Sequence, residues 1–287
     1  MSTNDAPASK TIFITGASTG IGRACALHLD GLGFRVFAGI RKTADGEALR
    51  EVASDRLRPM YLDVTDGESI RAAAEIVKAT CQADGLSGLV NNAGIVIAGP
   101  LEFLPVETLR LQLETNVIGQ IAVTQALLAL LRRARGRIVN MSSVSGRVAA
   151  PFLGPYSASK FALEALSDSM RLELRPWRIS VSVVEPGPIA TPIWKKSRTM
   201  TKNMLANLPP QVQELYGPSI KAAGTWERGM TRDMLSPEVV ARAVEHALTS
   251  HRPRTRYRIG TAGIVADLVA RFAPDRLRDW LLIHQRE

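Results

Sequence analysis

Cysteine is nearly absent from this chain: two in 287 residues, Cys25 and Cys81, both within segments that read as helices. Two cysteines cannot build a disulfide scaffold or, alone, a metal site, and reduced thiols are expected. Aromatic residues are also few, at 5%, so no series of base-stacking rings accompanies the basic runs and nucleic acid is not an expected partner. No run of eighteen or more apolar residues is apparent, which argues against a membrane-spanning helix. The opening Met-Ser-Thr-Asn-Asp-Ala-Pro-Ala-Ser-Lys has no basic segment followed by an apolar one. It reads as a flexible tail over 1–9 rather than a secretory signal, and a cytoplasmic location is expected.

What is present is ordinary for a globular protein: 46% hydrophobic and 22% charged residues. The net charge is +9, and residues 185–287 hold 16 Lys+Arg against 10 Asp+Glu. Such a balance suits an anionic cofactor or a solvated surface. Arg252, Arg254, Arg256 and Arg258 alternate, and on a strand they share one face, read here as solvated. Arg132, Arg133, Arg135 and Arg137 close a helix, where cations complement the dipole.

The chain alternates strand and helix throughout. Strands are expected at 11–15, 35–40, 60–63, 86–90, 136–141, 179–184 and near 256–260. Helices are expected at 21–32, 44–54, 66–82, 106–134, from Tyr156 to Arg175, and at 237–249, with an amphipathic C-terminal helix broken at Pro274. Regular alternation implies an α/β fold, a Rossmann-like doubly wound parallel sheet of about seven strands with helices on both faces. No linker divides it, so residues 1–287 read as a single dinucleotide-binding and catalytic domain. The proline-rich stretch 192–233 breaks the rhythm and reads as a substrate-covering insertion.

Polar, small-residue signals stand at successive strand ends, where open α/β sheets bind ligands. Gly16, Gly20 and Gly22 follow the first strand and open a helix, the arrangement by which backbone N–H groups approach a pyrophosphate. Asp63 and Val64 follow the third strand, Asn91-Asn92-Ala93-Gly94 the fourth, and Ser142-Ser143 the fifth. Pro186, Gly187, Ile189 and Thr191 follow the sixth. Tyr156 lies thirteen residues after Ser143, and Lys160 four beyond that. On a helix begun at Pro155 the pair shares one face, about 6 Å apart. An ammonium beside a phenol favours the phenolate, so Tyr156 suits proton transfer with Ser143 near the substrate oxygen.

Thr-Gly-x-x-x-Gly-x-Gly, Asn-Asn-Ala-Gly, Asn116, Ser143, Tyr156-x-x-x-Lys160 and Pro-Gly-x-x-x-Thr, in that order over residues 11–191, resemble the short-chain dehydrogenase/reductase family in its single-domain subgroup. The resemblance implies an oxidoreductase. Tyr156 would be the acid/base, Lys160 would bind the nicotinamide ribose and lower the Tyr156 pKa, Ser143 would polarise the carbonyl, and Asn116 would hold a water linking Lys160 to solvent. Gly16, Ser18, Gly20, Ile21 and Gly22 would cradle the pyrophosphate. Asp63 and Val64 would face the adenine, Asn91, Ala93 and Gly94 its ribose side, and Ile189 and Thr191 the carboxamide. Glu185 departs from the family's usual Asn before Pro-Gly.

The second strand ends at Ile40, followed by Arg41 and Lys42, where an acid would select NAD. Two cations and no carboxylate favour NADP(H), while Thr19, where NADP users often carry a cation, leaves NAD open. Val96, Ile97, Phe152, Leu153, Ile193 and Trp194 form an expected apolar pocket for a hydrophobic secondary alcohol or its ketone. No Arg or His is expected to clamp a carboxylate near Tyr156, with Arg147 the one left open. The Phe34–Gly39 segment and the Arg-Tyr-Arg-Ile-Gly segment look similar to the retinol and 17β-hydroxysteroid dehydrogenase branch. The family commonly forms homodimers or homotetramers through its two long helices. The C-terminal amphipathic segment could make a peripheral membrane contact, or pack on the sheet or a neighbouring subunit. Two other functions share part of the pattern: a non-catalytic dinucleotide sensor, and a nucleotide-sugar epimerase or dehydratase, whose longer C-terminal domain and glycine spacing are missing here.

Overall fold

The computed structural model describes residues 10–230 and 234–284. The N-terminal tail and the last residues of the insertion lie outside them. Strands β1 (Thr11–Ile14), β2 (Arg35–Ile40), β3 (Leu57–Tyr61), β4 (Gly88–Asn91), β5 (Arg137–Met141), β6 (Ser180–Pro186) and β7 (Arg256–Ile259) form one parallel sheet in the order β3-β2-β1-β4-β5-β6-β7. The strand order reverses between β1 and β4, which leaves a crevice at their carboxyl ends.

The five inner strands are buried on both faces because helices cover both, whereas Arg58 and Tyr61 of the edge strand β3 are exposed. Helices α1 (Gly20–Gly31), α2 (Thr43–Arg50) and α3 (Gly67–Thr80) follow β1 to β3. Then come α4 (Val106–Leu113), α5 (Gly119–Ala134), α6 (Gly154–Glu173), α7 (Ile193–Leu205), α8 (Gln211–Met230), α9 (Pro237–Thr249), α10 (Thr261–Phe272) and α11 (Asp275–His284). Alternation along the strands sorts their side chains into two cores. Ile12, Ile14, Val36 and Ala38 pack with Leu29 of α1 and Val240 and Val244 of α9. Phe13 and Phe37 pack on the other face with Val77 of α3 and Leu127 and Leu131 of α5.

Two expectations, the unbroken 106–134 helix and the solvated face of alternating arginines, need correction. The 106–134 helix is interrupted by a π-helical turn at Glu114–Ile118. Its extra residue per turn turns Thr115, Asn116 and Val117 inward. The whole stretch Val106–Ala134 is long and apolar enough to cross a membrane. However, 44% of its apolar window is buried, and Val123, Leu127, Leu130 and Leu131 pack in the second core. The insertion after residue 192 is helical. Pro192 precedes α7, Pro209 and Pro210 separate α7 from α8, and Pro218 is tolerated inside α8. The alternating arginines do not form one solvated face. Arg252 and Arg254 are exposed, but on β7 the Arg256 and Arg258 side chains are only 17% and 30% exposed and are held by buried acids.

Both cysteines are free and buried, and burial pushes the Cys25 thiol up to about 12.

Gly88 shows how tightly α9 lies on the sheet: a Cβ there would stand 2.6 Å from Leu248 Cδ2 and 2.8 Å from Ile12 Cδ1. Gly88→Val overpacks this contact. It is expected to destabilise by about 1–3 kcal/mol, read as a lower urea midpoint at unchanged slope.

Candidate active site

One cavity of about 640 Å³ occupies the crevice at the carboxyl end of the sheet. Its floor is the loop between β1 and α1. Gly16 and Gly20 have φ of +63° and +57°, a region that L side chains avoid. A Cβ at Gly22 would lie 2.2 Å from the Gly16 carbonyl oxygen and 2.4 Å from Asn92 Nδ2. Asn92 braces this loop by donating to the carbonyls of Thr15 (2.9 Å) and Gly16 (3.0 Å). Thr19 stands at the N-cap of α1 without a side-chain cap bond. Gly20, Ile21 and Gly22 of the first turn line the cavity, and the uncapped N–H groups and helix dipole there favour an anion. Loop, helix end and cavity size fit a dinucleotide, with Gly16, Ser18, Gly20, Ile21 and Gly22 on its lining.

Arg41, Asp63, Val64, Ala93 and Gly94 also line the cavity, as do Pro186, Gly187, Ile189 and Thr191. Burial raises the Asp63 carboxyl, but hydrogen bonds from the Thr65 N–H and hydroxyl, together with the Arg41 charge, hold it below its usual range. Thr191 seats the insertion on the loop: a Cβ at Gly20 would stand 3.0 Å from Thr191 Cβ.

Two cofactor candidates fall elsewhere. Lys42 is exposed at the N-cap of α2 and does not line the cavity. Asn91 is 1% exposed, and its Nδ2 donates to Thr124 Oγ1 and Asn140 Oδ1, both at 2.9 Å. Its amide ties β4 to β5 and α5 beneath the site. The neighbouring Asn92, at the same strand end, lines the cavity instead.

Ser143, Tyr156 and Lys160 meet on the cavity's inner wall. Pro155 lies in the first turn of α6, and Ser143 is the N-cap of a short 3₁₀ turn, where its Oγ accepts from the Ser145 N–H at 3.2 Å. Lys160 Nζ donates to the Met141 carbonyl at 2.7 Å and lies 5.6 Å from the centre of the Tyr156 ring. Burial pushes the Lys160 ammonium down to about 8, against the opposing pull of Glu164. Burial raises the Tyr156 phenol, and its hydrogen bond to Ser143 draws it down. Desolvation outweighs that bond, so the phenol stands above its ordinary value, opposite to the lowering expected from Lys160.

Asn116 is fully buried in the π-helical turn. Its Oδ1 accepts from the Ile95 N–H at 2.9 Å, and its Nδ2 donates to the Ile95 carbonyl (3.0 Å) and Ser159 Oγ (3.1 Å). The side chain implied to hold a water is thus committed to bracing the segment after β4 against α6.

Of the apolar candidates, Val96, Leu153, Ile193 and Trp194 line the cavity, and the Trp194 indole donates to the Ile189 carbonyl at 2.8 Å. Ile97 is buried elsewhere, with its N–H on Gln112 Oε1. Phe152, at φ +64°, packs edge-on against Tyr216 outside the cavity. Arg147 is no carboxylate clamp for a substrate, because its guanidinium is bonded to Glu185. Sequence reasoning missed the C-terminal wall: Val265 and Val269 of α10, and Leu281 and Leu282 of α11. Their helical period was legible, but nothing local to it indicates which surface they cover.

The family model for short chain dehydrogenases matches residues 10–202. Retinol dehydrogenase 5 of Mus musculus is 43% identical over 285 residues, covering 96% of this chain and 89% of that protein. The 17-beta-hydroxysteroid dehydrogenase type 6 of Bos taurus is 42% identical over 279 residues, covering 95% and 87%. A solved short chain dehydrogenase from Burkholderia cenocepacia J2315, in complex with NADP, superposes with a TM-score of 0.71 at 28% identity, covering 96% of this chain and 97% of that one. The chain belongs to the short-chain dehydrogenase/reductase family, in the branch of the retinol and 17β-hydroxysteroid dehydrogenases. It is an NAD(P)-dependent oxidoreductase.

Gly22→Ala puts a methyl group against backbone. It is expected to raise the NADPH dissociation constant at least about tenfold in a fluorescence titration, with an unchanged far-ultraviolet spectrum. Unaltered affinity would contradict the tight approach assigned to this loop.

Proposed function

We propose that this protein transfers a hydride between NADP(H) and a hydrophobic secondary alcohol or its ketone, of retinoid-like, steroid-like or similar lipophilic character. The observation that carries this reading is the joining, in one cavity, of Ser143, Tyr156 and Lys160 with the glycine loop on one side and an apolar wall on the other. Val96, Leu153, Ile193, Val265, Val269 and Leu281 offer no charge to a substrate, which suits an apolar body with one polar end. The retinol and 17-beta-hydroxysteroid dehydrogenases among the relatives support the same substrate class.

The bound nicotinamide supplies the hydride chemistry. The chain's own groups handle the oxygen and its proton. Ser143 Oγ–H donates to the substrate oxygen and fixes it beside Tyr156. In reduction, Tyr156 Oη–H gives its proton to that oxygen as it becomes a hydroxyl; in oxidation the phenolate takes the proton back. Lys160, held by the Met141 carbonyl, places positive charge behind the phenol and favours the phenolate during turnover. The half-buried Tyr156 and the apolar wall limit water around this transfer.

Arg41 supports NADP(H). It stands on the cavity lining directly after Ile40, where β2 ends without a carboxylate. A guanidinium there suits a 2′-phosphate, and NAD is the alternative within the family. We further propose one domain acting in the cytoplasm as a homodimer or homotetramer. The exposed Ile118, Phe161, Leu166 and Leu172 on the long helices support assembly there.

Tyr156→Phe is expected to lower kcat by about 10²–10⁴-fold on any ketone the wild type reduces, while NADPH still binds. Retention of more than a few per cent of activity would remove Tyr156 from its role. For the cofactor, Arg41→Ala should weaken NADPH about tenfold, roughly 1.4 kcal/mol, and leave NADH unchanged. Equal affinities in the wild type would favour NAD.

A further inference from the structure

Helix α10 is docked in an unusual way. A surface helix normally buries its apolar stripe and exposes its charges. Among the described side chains of α10, the buried residues are Gly263 and Asp267. Ile264, Val265, Leu268 and Phe272 are all more than half exposed. Beside Gly263, the buried anchor among these side chains is therefore one carboxylate.

That carboxylate belongs to a balanced buried cluster. Asp267 Oδ2 lies 3.0 Å from Arg258 Nη2 and 2.9 Å from Arg271 Nε, and Oδ1 lies 3.9 Å from Arg147 Nε. Glu185, 1% exposed, accepts from Arg147 at 2.8 and 3.1 Å and lies 3.3 Å from Arg256 Nε and 3.6 Å from Arg258 Nε. Glu164, one turn beyond Lys160 on α6, accepts from Arg256 at 3.1 Å and lies 3.5 Å from Arg147. Arg147, Arg256 and Arg258, from the turn after Ser143 and from β7, thus face the buried acids of α6, β6 and α10, with the more exposed Arg271 and Asp168 at the rim, Asp168 2.7 Å from Arg256 Nη2. Removing one member leaves a buried charge unpaired, which is far costlier than losing an exposed pair.

The cluster also fixes where α10 lies. The Cβ position of Gly263 is 3.4 Å from the Glu185 carbonyl oxygen and 3.7 Å from Val144 Cγ1, so the helix rests on the residue after Ser143. Val265, Ala266 and Val269 then line the cavity that holds Tyr156. We propose that Asp267 is a positioning residue that latches α10 by charge over the catalytic cavity. Val265, Ala266 and Val269 of α10 then stay unspent on docking and form the wall that receives the apolar body of the substrate.

This inference rests on the reading of the substrate as a lipophilic alcohol or ketone, so its test has one arm that needs no turnover. In hydrogen exchange, Asp267→Asn is expected to speed exchange of residues 261–272 by about tenfold or more relative to the wild type, with β1 and β4 unaffected. Unchanged exchange in α10 overturns the latch. The second arm measures kcat and KM on a series of 2-alkanones from short to long chain. Asp267→Asn should raise KM for the long ketones about tenfold, with kcat on the shortest and the NADPH dissociation constant within about twofold of wild type.

Val269→Ala, a small change that leaves the cluster intact, guards against misfolding of the first variant. It should raise KM severalfold for long ketones alone and leave exchange unchanged. KM effects equal at every chain length, in either variant, overturn the wall. If the wild type turns over no ketone of the series and no matching alcohol, the substrate reading falls, while the exchange arm still decides the latch.

Discussion

A parallel sheet opens a gap where its strand order reverses, and the chemistry of this protein depends on that gap. Between β1 and β4, connections leave the sheet in opposite directions, so no helix closes the crevice at the strands' carboxyl ends. The glycine loop after β1 and the Asn92–Gly94 segment after β4 meet there. Asn92 couples them directly through its bonds to Thr15 and Gly16. Every other functional group is brought to this gap by the strand or helix that precedes it.

Below the gap the molecule keeps an unusually polar interior. Asn91 links Thr124 to Asn140, and Asn140 donates to Ser167 of α6 at 2.8 Å. Asn116 ties the segment after β4 to Ser159 of the same helix. These bonds set the depth and rotation of α6, and hence of Tyr156 and Lys160. Apolar packing tolerates small slips, whereas a buried amide left without its partner costs about 1–3 kcal/mol. The same principle operates at larger scale in the cluster of Arg147, Arg256 and Arg258 with Glu164, Glu185 and Asp267.

Much of the site was legible because it is written locally. Gly16, Gly20 and Gly22 signal a backbone conformation and a close approach that few other residues permit, and Pro155 with Tyr156 and Lys160 signals one face of one helix. Strand ends carry ligands in this fold, so Asp63, Gly94, Ser143 and Thr191 could be placed before any coordinates. The errors have a common cause. Asn91 and Asn92 are adjacent on one strand end, and alternation alone does not say which points into the sheet. Ile97 and Phe152 are apolar residues near the site, but their direction depends on Gln112 and Tyr216, which are distant in sequence.

What the sequence determined alone is the order of elements, the parallel sheet and the residues proposed for proton transfer, because periodicity, proline and glycine act over a few residues. What only the tertiary structure decided is where charge and apolar surface end up. Arg147, Arg256 and Arg258 read as solvated cations or a substrate clamp until Glu164, Glu185 and Asp267 are seen beside them. Val265 and Val269 of α10 read as part of an amphipathic segment for a membrane, the sheet or a neighbouring subunit until they are found on the cavity wall. In each case the deciding partner belongs to a different element, and both desolvation and ion pairing depend on that partner rather than on the neighbouring sequence.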